Sequence, residues 1–289
     1  MNNKNTNCFC LVTHKYNDFV RKQWFEIMNE LRDTNTKPVL LFDFTQLPSE
    51  NGIDKLTRDF NDGLIDIINS VSLFDESIIC NNLGKRGYDI NYYEGIPKLF
   101  YGNIMLAYMN FFFANQDFNY YWFKEWDVEY TGSWKYLIDK YENIDDDFIS
   151  RSSVLGTEYK KDWFHYGQWK TTTIPPFKDT EVIVTFNPLT RFSHRALDYL
   201  DYLYRRGNSG FYELFLGTVL RRKGFKIGGF REYGDLDMEG FDYLPNRKSL
   251  DSSKINKPNK LYHPVKEPVD FRYVINKQVP SNSTSFTRC

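Results

Sequence analysis

The chain has 289 residues, 41% hydrophobic and 26% charged, with 37 Lys and Arg against 38 Asp and Glu for a formal net charge of −1. That length buries a large core in one domain or two small ones, and the composition excludes a disordered chain. The charge balance argues against a polyanion-binding surface and so against a nucleic-acid partner, because that affinity rests on clustered Lys and Arg. Aromatic residues reach 18%. Tyr and Trp offer flat faces with a polar handle that suit sugars, and AT-rich coding accounts for the excess equally well.

The polar start, Met1 to Asn7, lacks the apolar core of a signal peptide. The most apolar stretch, Leu99 to Ala114, is interrupted by Asn103 and Asn110 and is short for a bilayer, so no transmembrane segment and a cytoplasmic location are expected. Cys8, Cys10, Cys80 and Cys289 are too scattered for a disulfide framework or a zinc motif. Cys8 and Cys10 fall on one face of a strand and read as buried thiols.

The first half alternates strand and helix. An apolar run from Cys8 to Thr13 predicts a strand, and Phe19, Val20, Trp24, Ile27, Met28 and Leu31 recur at helical spacing over Asp18 to Leu31. Pro38 to Phe44 reads as a strand buried on both faces. A helix over Leu56 to Val71, a third strand over Glu76 to Cys80, a helix from Pro97 to Phe113 and a fourth strand over Asn119 to Trp126 follow. This alternation predicts a mostly parallel sheet with helices on its faces.

The second half is less regular. A short strand over Asp147 to Ser152, an aromatic loop over Trp163 to Thr173 and a strand over Glu181 to Phe186 precede helices over Ser193 to Arg206 and Phe211 to Lys223. The basic residues closing those helices, Arg205-Arg206 before Gly207 and Arg221-Arg222-Lys223 before Gly224, read as C-terminal capping. Beyond Gly240 the chain is rich in Pro, Asn, Ser and Lys, as expected of an extended segment wrapping the domain. One domain is expected over 1–289, with a nucleotide-sugar half at 1–130, an acceptor half at 131–240 and an extended segment at 241–289.

Glu125, Asp127 and Glu129 alternate at the end of the fourth strand, so an extended chain projects all three to one side. Three like charges together need a cation or solvent, and Mg2+ or Mn2+ with oxygen ligands would relieve them; a solvated strand end is the other reading. The stretch YYWFKEWDVEYTGSW resembles the short acidic motif of the GT-A glycosyltransferases, the nucleotide-diphospho-sugar transferase fold. That motif commonly reads Asp-any-Asp, so Glu125 departs from it at the first position. The resemblance implies a mixed α/β sheet, a nucleotide-sugar donor (a UDP-sugar favoured), a glycan or other hydroxyl acceptor, and a metal held by Asp127 with Glu125.

On that resemblance Thr13 and His14 lie where the nucleotide base is held, Asp43 is a ribose or base contact, and Lys98 and Asn103 face the donor sugar. Thr13, His14 and Asp43 equally suit ordinary loop residues. Asn187 to Ser193, with Arg191, resembles the segment bounding an acceptor pocket, or simply caps the next helix. Glu213, on a helix crowded with apolar residues, is the candidate acceptor-activating carboxylate, its pKa raised by burial, and a helix-N-terminal Glu is the alternative. In Leu261-Tyr262-His263-Pro264-Val265-Lys266, the resemblance implies a late histidine, His263, returning to the metal or the diphosphate, and Lys266 neutralising phosphate; a turn histidine is the plainer alternative. Trp163, His165, Tyr166 and Trp169 form either an acceptor-sugar platform or core packing. The activity expected is metal-dependent transfer of a hexosyl-type sugar. A non-catalytic carbohydrate-binding protein and a nucleotidyltransferase are the alternatives, and the glycine-free Thr13 to Asn17 segment counts against the latter.

Overall fold

The computed structural model describes residues 7–45, 52–64, 70–89, 104–155, 166–241 and 249–266. In chain order the elements are β1 (Asn7–Thr13), α1 (Asp18–Leu31), β2 (Thr36–Asp43), α2 (Ile53–Asn61), β3 (Val71–Phe74), α3 (Glu76–Lys85), α4 (Ile104–Ala114), β4 (Tyr120–Glu125), β5 (Glu129–Tyr130) and α5 (Trp134–Tyr141). There follow β6 (Phe148–Ser150), β7 (Val154–Leu155), β8 (Trp169–Lys170), β9 (Ile183–Val184), β10 (Leu189–Ser193), α6 (His194–Tyr204), β11 (Ser209–Gly210), α7 (Tyr212–Lys223), β12 (Ile227–Gly229), β13 (Leu236–Phe241) and β14 (Leu261–His263).

Seven strands form the central sheet in the order β12-β6-β10-β4-β1-β2-β3. The pairs from β3 to β4 are parallel, as is β6 with β12, while β10 runs antiparallel to both β4 and β6. Elements of both halves therefore share one mixed sheet. The chain moves outward from β1 to β3, then crosses back to β4 on the other side of β1. This reversal opens a crevice at the carboxyl ends of β1 and β4, where ligands of open α/β sheets gather.

Alternation along β1 divides the interior. Cys8, Cys10 and Val12 join one core with Met109, Phe112, Leu200 and Leu216 from α4, α6 and α7. Phe9 and Leu11 join the other with Trp24, Ile27, Leu137 and Tyr141 from α1 and α5. The period-two pattern of a strand covered on both faces thus puts apolar residues on each. Below the second core a three-stranded sheet sets β14 between β13 and β5, so the late segment is built into the structure as a strand. Gly224 closes α7 with φ +88°, as its last-turn cations anticipate.

Four element expectations are corrected. Glu76 to Cys80 is helical, the first half of α3, and the third strand is Val71–Phe74, paired with β2 through Leu40↔Val71. The Asp75 side chain accepts from the Ile78 N–H at 2.6 Å, capping a helix whose buried face is Ile79 and Leu83; a short apolar run does not by itself distinguish helix from strand. Only Ile183 and Val184 of the expected Glu181–Phe186 strand pair, with β7. Asn187 to Ser193 is mainly β10, and only Ser193 caps the following helix, its Oγ accepting from the Ala196 N–H. The helix over Leu56 to Val71 is shorter, ending at Asn61. Among the described residues no helix is long and apolar enough to cross a membrane.

Candidate metal centre and transfer site

β4 delivers Glu125 to the crevice, and the chain then turns through Trp126 and Asp127. Three backbone hydrogen bonds hold that turn. The Glu125 N–H donates to the Pro188 carbonyl (2.8 Å), the Glu125 carbonyl accepts from the Val128 N–H (3.1 Å), and the Asp127 carbonyl accepts from the Val265 N–H (2.7 Å). This last bond ties the turn to the end of β14, which is how a residue 136 positions later, about half the chain, reaches the acidic motif. His263 Nε2 lies 3.6 Å from Asp127 Oδ1, and Lys266 Nζ lies 3.9 Å from Oδ2. The imidazole is flanked by Phe186 and Phe241, with ring centroids at 5.3 and 5.7 Å.

Glu125, Asp127 and His263 each bring one ligand atom within 4.8 Å of the others. The extended-chain expectation for Glu129 is corrected: the turn at Trp126 breaks the alternation, and Glu129 enters β5 on the other side, where it faces the buried Lys124. Two carboxylates and an imidazole are a donor set that fits Mn2+ or Mg2+, with the nitrogen better suited to Mn2+.

The electrostatics separate the carboxylates. Burial pushes Glu125 up to about 8, with Asp127 and Glu213 adding to the shift and His263 opposing it. Burial acts in the same direction on Asp127, but His263 and Lys266 outweigh it and hold that carboxyl below its ordinary range. Glu213 is also raised to about 8 by burial, against hydrogen bonds from the Asn187 backbone N–H and from Tyr212. Tyr212 is pushed well above its ordinary value by burial and then by Glu213, Glu125, Tyr108 and Asp127. Glu213 at the first turn of α7 thus belongs to the same group of charges as the ligand set.

Other expected residues fall at varied distances from this centre. Thr13 ends β1, where its Oγ donates to the Lys15 carbonyl (2.7 Å) and accepts from the Lys15 N–H. His14 meets Trp126 edge-on at 6.0 Å, beside the Glu125–Asp127 turn. Asp43, at the end of β2, accepts from the Thr45 N–H and hydroxyl. Tyr166 and Trp169 pack edge to face at 5.7 Å, with Tyr166 donating to Asp179 and Trp169 against Phe177. Lys98, Asn103, Trp163 and His165 lie outside the described residues.

Arg191 is a correction. It is 1% exposed in β10, and its guanidinium donates to the carbonyls of Tyr141, Ile144 and Asp146. With both terminal nitrogens bonded to carbonyls between Tyr141 and Asp146, it braces the α5–β6 connection. Sequence reasoning also passed over Lys15, whose Nζ sits 3.5 Å from the Trp126 ring centroid. Burial lowers the Lys15 pKa, Asp127 opposes that, and Lys266 reinforces it. Its signal was its place directly after the first strand.

No protein-family model and no curated protein matches the sequence. Among solved structures the chain is similar to mouse xyloside xylosyltransferase 1 in its apo form, at 10% identity and a TM-score of 0.42, covering 90% of this chain and 97% of that one. It is also similar to HddC from Yersinia pseudotuberculosis, at 12% identity and a TM-score of 0.37, covering 78% of this chain and 88% of that one. Likenesses this distant do not bear on chemistry, so the functional argument rests on the site itself.

Proposed function

We propose that this chain is a metal-dependent glycosyltransferase that moves a sugar from a nucleotide-sugar donor, a UDP-sugar foremost, to a hydroxyl of a glycan or similar acceptor. The observation that carries the reading is the meeting of Glu125, Asp127 and His263 at the carboxyl end of the strand where the sheet order reverses. These three residues would hold Mn2+ or Mg2+. Bound there, the ion supplies Lewis-acid stabilisation of the leaving diphosphate.

The chain's own residues provide the rest. Lys266 and Lys15 bring positive charge to the Asp127 side of the site, as a diphosphate requires. Trp126, under Lys15 and beside His14, gives an apolar wall. Glu213 is the general base that takes the acceptor hydroxyl's proton, and its raised pKa gives it the proton affinity for that task. Direct displacement with this base inverts the anomeric centre.

The test is thermal unfolding with a panel of nucleotide sugars, each with and without Mn2+, followed by assay of the responding donor for transfer. A ligand at a hundred times its Kd adds about 2.7 kcal/mol of stability. A Mn2+-dependent rise with one nucleotide sugar is expected. Folded protein that responds to no donor on the panel sinks the reading. Pyrophosphate release from a nucleoside triphosphate and a sugar phosphate would move it to nucleotidyl transfer.

A further inference from the structure

Beneath the Glu125–Asp127 turn, on the side facing α1, lies a buried polar group that supplies no ligand atom. Gln23 is 3% exposed, and its Nε2 donates to the Trp126 carbonyl at 2.9 Å. Its Oε1 accepts from Lys124 Nζ at 2.6 Å, and Lys124 is fully buried. The same ammonium reaches the Glu125 carbonyl at 3.3 Å and lies 5.3 Å from the Trp134 ring centroid. Glu129, also buried, lies within the electrostatic reach of Lys124.

This placement has a mechanical consequence. Lys124 and Glu125 are consecutive residues of a strand, so their side chains leave on opposite faces. The support therefore grips the turn from behind while the ligands face the crevice. Both ends of the Gln23 amide are committed, since a flipped amide would set NH2 against the ammonium and oxygen against the carbonyl. The amide thus fixes the Trp126 peptide, and that peptide sets how far Asp127 stands from Glu125. Divalent-ion donor distances near 2.1 Å for Mg2+ leave little tolerance for a rotated peptide.

We infer that Gln23, held by Lys124, is a positioning residue of the metal centre, setting the Glu125–Asp127 spacing through the Trp126 carbonyl. The inference rests on the metal-site reading proposed above. It is tested on the full chain by measuring Mn2+ affinity, by calorimetry or electron paramagnetic resonance, for the wild type, Gln23→Met, Gln23→Glu and Asp127→Asn. Gln23→Met removes both bonds at similar volume, while Gln23→Glu keeps an acceptor for Lys124 and loses the donor to Trp126.

Loss of a supporting hydrogen bond outside the ligand set costs about ten- to a hundredfold in metal affinity. A Kd weakened by that factor in both Gln23→Met and Gln23→Glu is expected, because both lose the donor to the Trp126 carbonyl. If Gln23→Met does not fold, the Gln23→Glu comparison decides. Wild-type affinity in the folded Gln23 variants overturns the inference whatever their melting points, because a merely stabilising residue moves the melting point and leaves Kd alone. Mn2+ binding lost in Asp127→Asn but intact in the Gln23 variants removes only the positioning role. A wild type that binds no Mn2+ removes the metal reading and this inference together.

Discussion

Two clusters of buried charge sit at opposite strand ends of the central sheet, and they are built on opposite rules. At the end where β6 begins, Asp147 accepts from the Ser193 hydroxyl, from two Arg195 nitrogens at 2.5 and 2.6 Å, and from the Lys226 N–H. Burial alone would raise its pKa, but these partners outweigh it and hold the carboxyl low. At the end where β4 stops, Glu125 and Glu213 are both raised to about 8. There carboxylates crowd one another in a low-dielectric setting, where an unpaired charge is costly. A satisfied carboxylate braces the fold, and a crowded one is held for a ligand or a proton.

The largest test of that contrast is Asp127→Asn, which removes the ligand that His263 and Lys266 keep ionised. Sugar transfer should fall by about a thousandfold or more, with the fold intact by circular dichroism. Full activity in this variant would end the metal assignment.

Glu213→Gln comes next, with kcat reduced by about a hundredfold or more and KM for the donor little changed. It carries a stability signature as well. Glu213 and Glu125 have folded pKa values near 8 against an ordinary 4.5, so the folded state holds protons that the unfolded chain releases. Their contribution is fully present below about 4.5 and is lost as pH rises through 8. In EDTA, urea unfolding from pH 6 to 9 should show stability falling, and Glu213→Gln should flatten that fall. An unchanged slope would mean that Glu213 does not titrate in this window.

Asp147→Ala probes the opposite strand end. It strands the Ser193 hydroxyl and the Lys226 N–H, so unfolding free energy should drop by about 2–4 kcal/mol with donor KM unaltered in the remaining folded protein. The sign with pH is reversed there. The depressed Asp147 pKa gives stability that is present above its ordinary 3.8 and lost as pH falls below it.

The smallest effect expected is on metal affinity. Ligand carboxylates must lose their protons before binding, so Mn2+ affinity should rise by up to about tenfold per pH unit toward 8 and level off above it. A flat Kd from pH 6.5 to 8.5 would show that Glu125 is not a ligand whose proton the ion displaces.

Much of the parallel half was legible because each strand there is a continuous apolar run and each helix has its own period. β1, α1 and β2 fall where those patterns put them. The failures share a cause, since tertiary burial overrode local character. Arg191 reads as an acceptor-pocket or cap residue, yet it lies inside β10, where three backbone carbonyls between Tyr141 and Asp146 bond its two terminal nitrogens. Glu76 to Cys80 reads as a strand because its apolar residues are adjacent, and the Asp75 cap makes it a helix.

The sequence by itself determined the alternating α/β pattern, the acidic motif at the end of β4, and a carboxylate on a helix too apolar to leave it solvated. Those features depend on neighbours within one or two turns or along one strand, and local periodicity records such neighbours. Only the tertiary structure decided which acid joins the candidate metal set. The turn at Trp126 sends Glu129 back toward Lys124, and β14 brings His263 across from the far end of the chain. It also supplied Gln23, 103 positions from the carbonyl it holds. Long-range contacts of this kind leave no periodic trace, because each is fixed by how whole elements pack and not by the residues beside it.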